Sequence, residues 1–426
     1  MNKNNSLFKF LNLFSSDFLK HFTILLSGGA LAQLISGILS PIISRLYTPE
    51  SFGIFAVYLS IGGFFSLLAS ARYELAIMLP KEDEDSWSVF IISAVIVIIV
   101  SVISLLLVFI FGKKIMYFLK VHGNYKAILF APLSVLMTGL YNISTYWLLR
   151  NKKFKYIAAS KIVQSTTQSL SQILMKGLNS FGLILGQIIG ITSSCFFLLG
   201  KLSKRPSFIS ERIKKNLYLY SNFPKYNLPL AFIDGIRSNA ITFIVSYLFN
   251  STYLGIYFFA MKVLTIPTLL FGGNISQIYF QRSSERIRKG GNIKSMTYKL
   301  LLLLIIISAP LFIIIFLFGP VIFSFIFGNQ WKEAGKFAKV LSPYIFLSFI
   351  ASSLSHLPLV LQKQRTNLIF GTIGSILLIS SFIIGGIFLK RLYSTLILVS
   401  FVMSFYYIFI ICWFIYISNN SALNFK

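Results

Sequence analysis

Long apolar segments alternate with short polar ones along almost the whole chain. A run of about 20 apolar residues is long enough for a helix to cross the hydrocarbon core of a bilayer. By this criterion the pattern predicts about twelve spans, six in each half, and the fold class is an all-α polytopic membrane protein with two six-helix lobes. The expected spans are 22–45, 53–78, 87–112, 127–149, 156–178 and 181–200, followed by 226–249, 252–277, 299–327, 336–361, 367–389 and 394–417.

The spans divide the chain into four parts. Residues 7–18 mix Phe and Leu with Lys and Asn, which is typical of a short interfacial helix. The expected parts are a cytoplasmic or interfacial segment (1–21), a first lobe (22–200), a basic cytoplasmic linker (201–225) and a second lobe (226–426).

Equivalent places in the two halves have similar sequences. Ser51–Phe55 (SFGIF) precedes the second span, and Tyr253–Tyr257 (YLGIY) precedes the eighth. Leu149 and Leu361 are each followed by a basic turn, and both offsets are about 200–210 residues. Repeats with six spans each have the same orientation in the membrane, and such repeats are typical of transporters that rock one half against the other around a central site.

Composition and charge agree with a membrane protein. Of the 426 residues, 56% are hydrophobic and only 12% are charged, which excludes an ordinary soluble domain. The net charge of +28 comes from Lys and Arg concentrated in alternate loops, about two dozen on one side against about ten on the other. This bias predicts that both termini are cytoplasmic, and it explains the basic balance without a nucleic-acid partner.

The seventh span contains two opposite charges, Asp234 and Arg237. A charge at the centre of a spanning helix costs roughly 2.5–3.5 kcal/mol on insertion scales, so both side chains should face protein or water. Their i, i+3 spacing places them on one side of the helix. Two interpretations remain open: a neutral pair that fixes helix packing, or an Arg that lines a cavity for an anionic group, with Asp234 holding it or carrying a proton.

Further charges lie in or near other spans. Excess positive charge inside a membrane suits a lipid phosphate or pyrophosphate. Arg45 and Lys161 could instead extend from span ends to the headgroups. Arg72 and Glu74 are two residues apart, so they would not face each other on a helix. The further charged candidates for the transport path are Arg45, Arg72, Lys161 and Lys262, with Glu74 as a possible partner.

Polar or small residues form stripes on several spans. Gln residues are rarely exposed to lipid, so the stripe on span five favours a water-lined cavity containing Gln164 and Gln168. The glycines on span six predict close helix packing. His356 alone is better explained by packing and hydrogen bonding than by proton transfer. The two stripes are Lys161, Gln164, Gln168 and Gln172 on span five and Gly182, Gly186 and Gly190 on span six.

Motifs of soluble enzymes are missing from the sequence. It has no phosphate-binding G-x-x-x-x-G-K-[ST] loop, and Cys195 and Cys412 are too far apart to suggest a disulfide framework or a metal site. The acidic run Glu82–Asp85 raises the alternative of a glycosyltransferase. Such an enzyme would require an outer loop with catalytic groups, whereas this run falls in a turn predicted to be cytoplasmic. A solvated turn is therefore the preferred interpretation.

Five short segments carry a resemblance to a known family. They are Arg72–Pro80 (RYELAIMLP), Phe223–Pro229 (FPKYNLP), Leu254–Tyr257 (LGIY), Ala260–Leu264 (AMKVL) and Gln281–Glu285 (QRSSE). In these segments, and in a matching order along nearly the whole chain, the sequence resembles the oligosaccharide (O-antigen) flippases of the multidrug/oligosaccharidyl-lipid/polysaccharide (MOP) exporter superfamily. The resemblance implies a V-shaped, MATE-like bundle in the bacterial inner membrane, alternating access and no cofactor.

The resemblance also implies a substrate and a set of residues. The substrate is an undecaprenyl-pyrophosphate-linked repeat unit for O-antigen, capsule or exopolysaccharide, moved to the outer leaflet past cationic groups. Arg72, Glu74 and Lys262 fall on matching positions, whereas Asp234 and Arg237 fall where the family varies. We expect a monomer that contacts membrane lipids and a polysaccharide polymerase, with a proton or sodium gradient as a candidate energy source.

Two alternatives remain at this point. A cation-coupled multidrug exporter of the same fold should have acidic groups in its cavity, and here the excess is basic. A polyprenyl-sugar polymerase or transferase should have a long outer loop, and none is visible in the sequence. The residues expected to line the path are Arg237, Lys262, Arg72, Lys161, Arg45, Gln164 and Gln168, with Asp234 and Glu74 as pairing or coupling groups.

Overall fold

The computed structural model describes residues 16–121, 125–202, 210–288 and 291–420. Every regular element within these ranges is helical. The interfacial helix predicted over residues 7–18 lies almost entirely outside them. The α-helices are α1 Ser16–Leu46, α2 Pro49–Leu68, α3 Asp83–Phe118, α4 Ala131–Arg150, α5 Phe154–Leu174, α6 Ser180–Leu199, α7 Ser210–Leu219, α8 Leu228–Phe249, α9 Ser251–Leu264, α10 Gly273–Arg288, α11 Lys294–Phe327, α12 Lys332–Ser353, α13 Leu357–Val360, α14 Gln364–Ile384 and α15 Leu392–Asn419.

These helices account for the twelve predicted spans. In the described ranges, nine helices are long and apolar enough to cross a membrane. Two shorter apolar segments, 239–249 and 251–264, lie in the seventh and eighth predicted spans. The fifth span corresponds to α5, which carries the polar stripe. The chain is therefore a multi-pass, all-α membrane protein, as the hydrophobic pattern predicts.

The second and eighth spans end earlier than predicted. Helix α2 stops at Leu68, ten residues before the expected end at 78, and a 3-10 helix follows over Tyr73–Met78. The break occurs where Ala71 and Arg72 adopt left-handed backbone conformations, which an α-helix of L-residues cannot continue through. Helix α9 stops at Leu264, and a π-helical turn at Thr268–Gly272 precedes α10.

The chain separates into two compact units. Of the described residues, unit 1 contains 16–47, 57–118, 125–202 and 210–239, and unit 2 contains 48–56, 119–121, 240–288 and 291–420. The boundary near residue 239 falls inside α8, whereas the hydrophobic pattern placed the start of the second lobe at residue 226. Two short segments of the first half, on α2 and after α3, belong to unit 2.

Unit 1 contains an aromatic core at one end of α3 and α4. Trp147 is buried, and its ring lies 4.8 Å from the ring of Trp87, centroid to centroid. Trp87 in turn stacks on Phe90 at 4.5 Å. Ala76 and Ile77, from the 3-10 helix after α2, are buried in the same cluster. The segment after the break in α2 is therefore packed into the core of this unit.

The glutamine stripe of α5 packs against the glycine stripe of α6. A methyl group added at Gly190 would lie 2.6 Å from Cβ of Gln168, and one at Gly186 would lie 2.4 Å from Cγ of Gln172. The side-chain amide of Gln172 is buried and donates a hydrogen bond to the carbonyl oxygen of Leu183 at 3.0 Å. For Gln172, therefore, helix packing replaces the predicted contact with a water-lined cavity.

Unit 2 contains a reciprocal crossing of α2 and α9 through two glycines. A methyl group added at Gly53 would lie 1.8 Å from the carbonyl oxygen of Ser251, and one at Gly255 would lie 1.7 Å from that of Pro49. Positions 53 and 255 are 202 residues apart, as are positions 49 and 251. The contact of Gly53 with Ser251 is therefore repeated at the equivalent positions by the contact of Gly255 with Pro49, as expected for two helices related by a two-fold axis. The repeat motifs found in the sequence meet each other at this crossing.

Aromatic rings surround the crossing within unit 2. Phe52, beside Gly53, lies 5.3 Å from Phe259 and 5.0 Å from Trp331 between ring centroids. Phe259 and Trp331 are 4.0 Å apart. All three side chains are almost fully buried. Such edge-to-face and tilted contacts favour a fixed geometry beyond the apolar area that they bury.

Candidate functional site

The turn after α2 brings together the charged residues of the Arg72–Pro80 motif. Ala71 and Arg72 have φ angles of 48° and 66°. Backbone in this region costs about 1–3 kcal/mol for a residue other than glycine and persists only where its surroundings enforce it. As a result, Arg72 Nη1 lies 3.7 Å from Glu74 Oε1, although on a continuous helix the two side chains would diverge. The expectation that they do not face each other is therefore wrong, because the helix ends before them.

Glu74 is the buried member of this pair. Its side chain is 8% exposed, against 26% for Arg72, and the hydroxyl of Ser70 donates a hydrogen bond to its carboxylate. A buried carboxylate needs a cation or hydrogen-bond donors to remain charged at moderate cost. The Arg72 side chain is therefore partly accessible, and Glu74 lies within ion-pair distance of its guanidinium.

We expect Arg72→Ala to destabilise the protein by about 1–3 kcal/mol, because it leaves the buried Glu74 carboxylate without its cation. The double variant Arg72→Ala/Glu74→Gln should recover most of this loss, since the amide removes the uncompensated charge. Thermal unfolding of the purified protein measures both changes. Equal unfolding temperatures for the single and double variants would contradict this account of the pair.

The Phe223–Pro229 motif packs beside the Arg72–Pro80 motif in unit 1. It forms a π-helical turn over Phe223–Asn227, and Pro224 occupies its first turn, where a missing N–H leaves no hydrogen bond unmade. Phe223 packs against the core cluster that contains Ala76 and Ile77. Two motifs about 150 residues apart in the sequence therefore meet in the structure.

Arg150, at the end of α4, forms hydrogen bonds and an ion pair with the turn between the 3-10 helix and α3. Its side chain is 14% exposed, and Nη2 lies 3.1 Å from Oδ1 of Asp83. Nη1 donates to the carbonyl oxygens of Pro80 at 2.8 Å and Ile77 at 3.4 Å, and Nη2 donates to that of Lys81 at 3.3 Å. The sequence alone shows Arg150 only as part of the basic turn after Leu149, since its partners lie some 70 residues earlier.

Arg212, on the linker helix α7, binds the rest of the acidic turn. Its Nη1 contacts Glu82 at 2.5 Å, Glu84 at 3.2 Å and Asp85 at 3.4 Å. Asn216 of α7 donates a second contact to Asp85, at 3.0 Å. The hydrogen bond with Glu82 raises the pKa of the Arg212 guanidinium further above its usual range, so it stays charged. Glu82 and Asp83 are exposed, as predicted for a solvated turn, whereas Asp85 is only 17% exposed. The turn also anchors α7, which the sequence did not predict.

Replacing all four carboxylates of Glu82–Asp85 with amides should loosen α7 without unfolding the spans. We expect trypsin to cleave several-fold faster after Lys214 or Lys215, because the helix loses its ion pairs. High salt should have a similar effect on the unchanged protein by screening. Glu211→Gln, an exposed acidic position on the same helix, is the matched control. Unchanged cleavage in the amide variant would show that the ion pairs do not hold α7.

The remaining predicted residues of unit 1 lie on separate helices. Arg45 is exposed in the last turn of α1. Lys161 is exposed on α5, with its Nζ next to Gly29 of α1. Gln164 and Gln168 are half-buried, and parts of both contact Gly190 of α6. Their role in a transport path stays a prediction.

The structure describes the charged side chain of the eighth span but not those of the seventh. Asp234 and Arg237 lie in α8, and their side chains are outside the described ones. Lys262 is half-buried in the last turn of α9 in unit 2. Among the described side chains, no carboxylate lies within ion-pair distance of Lys262. A lysine placed in this way is available to an anionic ligand.

His356 and the two cysteines show no sign of a catalytic or metal-binding role in their described surroundings. His356 Nδ1 lies 2.6 Å from the hydroxyl oxygen of Ser276, and its ring is 5.4 Å from that of Phe280. This confirms a packed, hydrogen-bonded histidine. Cys195 and Cys412 are both free thiols. No cluster of three or more potential metal ligands occurs among the residues that the structure describes.

The fold is shared with solved structures of MOP-superfamily membrane proteins. An inward-facing multidrug resistance MATE transporter aligns with a TM-score of 0.69 and 13% identity over 93% of this chain and 96% of its own. Lipid II flippase MurJ in an inward closed conformation aligns with a TM-score of 0.70 and 17% identity, over 93% of this chain and 90% of its own. A MOP superfamily transporter from Pyrococcus furiosus aligns with a TM-score of 0.56 and 10% identity, over 94% and 96% of the two chains. These similarities show the fold: this multi-pass membrane protein has the helical fold of those solved structures.

The sequence also defines a family. Residues 42–336, more than half of the chain, match the family described as "Polysaccharide biosynthesis protein". The chain belongs to this family. No curated protein sequence matches it at a significant level.

Proposed function

We propose that this protein is a flippase that moves an undecaprenyl-pyrophosphate-linked oligosaccharide from the cytoplasmic to the outer leaflet of a bacterial inner membrane. The observation that carries the proposal is the family match over residues 42–336 on a MOP fold. Polysaccharide repeat units are built from very polar sugars. Such a group would lose many hydrogen bonds to water in bare hydrocarbon, so its transfer requires a protein-lined path.

The charges within the spans support an anionic substrate. Lys262 is half-buried without a carboxylate partner among the described side chains, and Arg72 is partly accessible beside its own partner, Glu74. Cationic groups of this kind form strong, charge-assisted contacts with phosphate oxygens. A multidrug exporter for cationic compounds would be better served by acidic groups. A polymerase or transferase is the other alternative, and the fold similarity to transporters favours transport over catalysis.

Reconstitution into liposomes tests this function against both alternatives. The purified protein would be combined with a fluorescent undecaprenyl-pyrophosphate oligosaccharide, and membrane-impermeant dithionite would report which leaflet holds the label. A flippase makes the inner pool accessible, whereas empty liposomes do not. Uptake of ethidium without lipid transfer would favour the drug exporter, and longer glycan chains would favour the polymerase.

The proposed orientation has its own test. In a protein with Cys412 replaced by Ser, Lys155→Cys at the start of α5 should react with an impermeant maleimide only from the cytoplasm. Thr252→Cys at the start of α9 should react only from outside. Both positions are exposed, so each reagent can reach its target. Labelling of both from the same side would contradict the twelve-span orientation.

A further inference from the structure

Unit 1 contains an apolar recess between the end of α2, the middle of α3 and the start of α8. Its volume is about 430 Å³, which falls within the range typical of ligand pockets, about 300–1,000 Å³. The lining includes two aromatic rings, Phe65 and Phe232, and Ile103 is 47% exposed at its edge. The other lining residues are Leu68, Ala71, Val100, Leu228 and Pro229. Every lining side chain is apolar.

One family motif reaches this recess, and the other begins next to it in the sequence. Ala71, one of the two left-handed residues in the turn after α2, lines the recess directly and is followed by Arg72. Leu228 and Pro229 end the Phe223–Pro229 motif, and the exposed Lys225 lies three residues before Leu228. Two cationic residues, Arg72 and Lys225, are therefore within three residues, along the sequence, of side chains that line the recess.

The membrane lipid around the recess limits what the recess can bind. Membrane lipid is as apolar as the lining side chains, so the hydrophobic effect gives a chain little reason to leave the bilayer for the recess. Retention must come from close packing and from a charged head group beside Arg72 and Lys225. A methyl-branched isoprenoid chain fills a wide, aromatic-lined recess more completely than a straight acyl chain, and so makes more dispersion contacts.

We propose that this recess holds a segment of the polyprenyl chain of the transported lipid, with the phosphate end directed toward Arg72. The proposal rests on the flippase function and adds where the apolar part of the substrate is held. It assigns the unusual turn at Ala71 and Arg72 a purpose. The turn ends α2 at Leu68, which lines the recess, and Arg72 follows directly after the lining residue Ala71.

Photocrosslinking tests the site without requiring transport. The photoreactive residue p-benzoylphenylalanine would replace Phe232, which lines the recess, or Ile233, which is 62% exposed on the same helix but does not line it. The probes are alkyne-labelled undecaprenyl phosphate and alkyne-labelled phosphatidylglycerol in liposomes. We expect several-fold more capture of undecaprenyl phosphate at position 232 than at 233, resistant to excess phosphatidylglycerol. Equal capture at both positions, or displacement by phosphatidylglycerol, would show an ordinary lipid contact and overturn the proposal.

A filled recess provides a second measurement. Val100→Trp places a large ring in the recess, whereas Val102→Trp makes the same change at a position on α3 that is 51% exposed and outside the lining. We expect Val100→Trp to slow flipping at least tenfold and to abolish crosslinking at position 232 without lowering the yield of monodisperse protein. If the unchanged protein flips the lipid and Val100→Trp alters neither flipping nor crosslinking, the recess proposal fails while the flippase function stands. If no flipping occurs at all, the function fails, and the crosslinking result still decides the recess.

Discussion

Gly53→Ala and Gly255→Ala are each expected to destabilise unit 2 severely, even though each adds only one methyl group. The added carbon would lie 1.8 Å or 1.7 Å from a backbone carbonyl oxygen of the opposite helix. Overpacking of a protein interior costs about 1–3 kcal/mol, and this contact belongs at the upper end because backbone cannot rotate away as a side chain does. Thermal unfolding of the detergent-purified protein and the yield of monodisperse material measure the effect.

The control for this prediction lies on the same helix. Gly62 of α2 has no other group within 4 Å of the place where a methyl would be added, so Gly62→Ala should leave the unfolding temperature nearly unchanged. The double variant Gly53→Ala/Gly255→Ala should be less destabilised than the two single effects predict together, because one separation of the helices relieves both overlaps. Full stability of either single variant would refute the tight crossing.

Loss of positive charge in the spans is expected to have the second large effect. Lys262→Ala and Arg237→Ala should each reduce flipping about 10- to 100-fold if the residue contacts a phosphate, since such a charged hydrogen bond contributes about 1.5–3 kcal/mol. Arg237→Lys should still reduce flipping, because lysine cannot reproduce a two-pronged contact, whereas Lys262→Arg should be milder. Leaflet-to-leaflet transfer per reconstituted protein is the measurement.

A surface lysine separates this effect from a general loss of charge. Lys294 is exposed at the start of α11, so Lys294→Ala removes the same charge away from the proposed path and should transport normally. Asp234→Asn should be mild if Asp234 only shields Arg237, and severe if it carries a coupling proton. Normal flipping by both Arg237→Ala and Lys262→Ala would show that the cationic-path mechanism is wrong for this protein.

The hydrophobic pattern determined the all-helical class and the approximate places of the membrane spans. A spanning helix satisfies its own backbone hydrogen bonds and faces lipid, so length and apolarity suffice to find it without knowledge of its neighbours. The sequence also identified SFGIF and YLGIY as equivalent motifs. It could not show that their glycines contact each other, because that contact depends on the relative path of two helices about 200 residues apart.

Local breaks were harder to predict than spans. Residues 69–78 are apolar enough to continue α2, and no proline or glycine marks the turn at Ala71 and Arg72. Tertiary contacts decide it: Ala76 and Ile77 are buried in the core of unit 1, in the same cluster as Trp147. These contacts offset the unfavourable backbone, and they exist only after distant segments have packed together.

Polar residues show the same division between local pattern and tertiary structure. The stripes on α5 and α6 were visible as periodic spacing, but the spacing could not tell a water-filled cavity from a neighbouring helix. The structure shows that Gln172 packs on α6, and it gives the acidic turn its partners Arg150 and Arg212. The sequence determined which faces of the helices are polar, whereas only the tertiary structure decided what each face meets, because a partner's position depends on chain segments far away in the sequence.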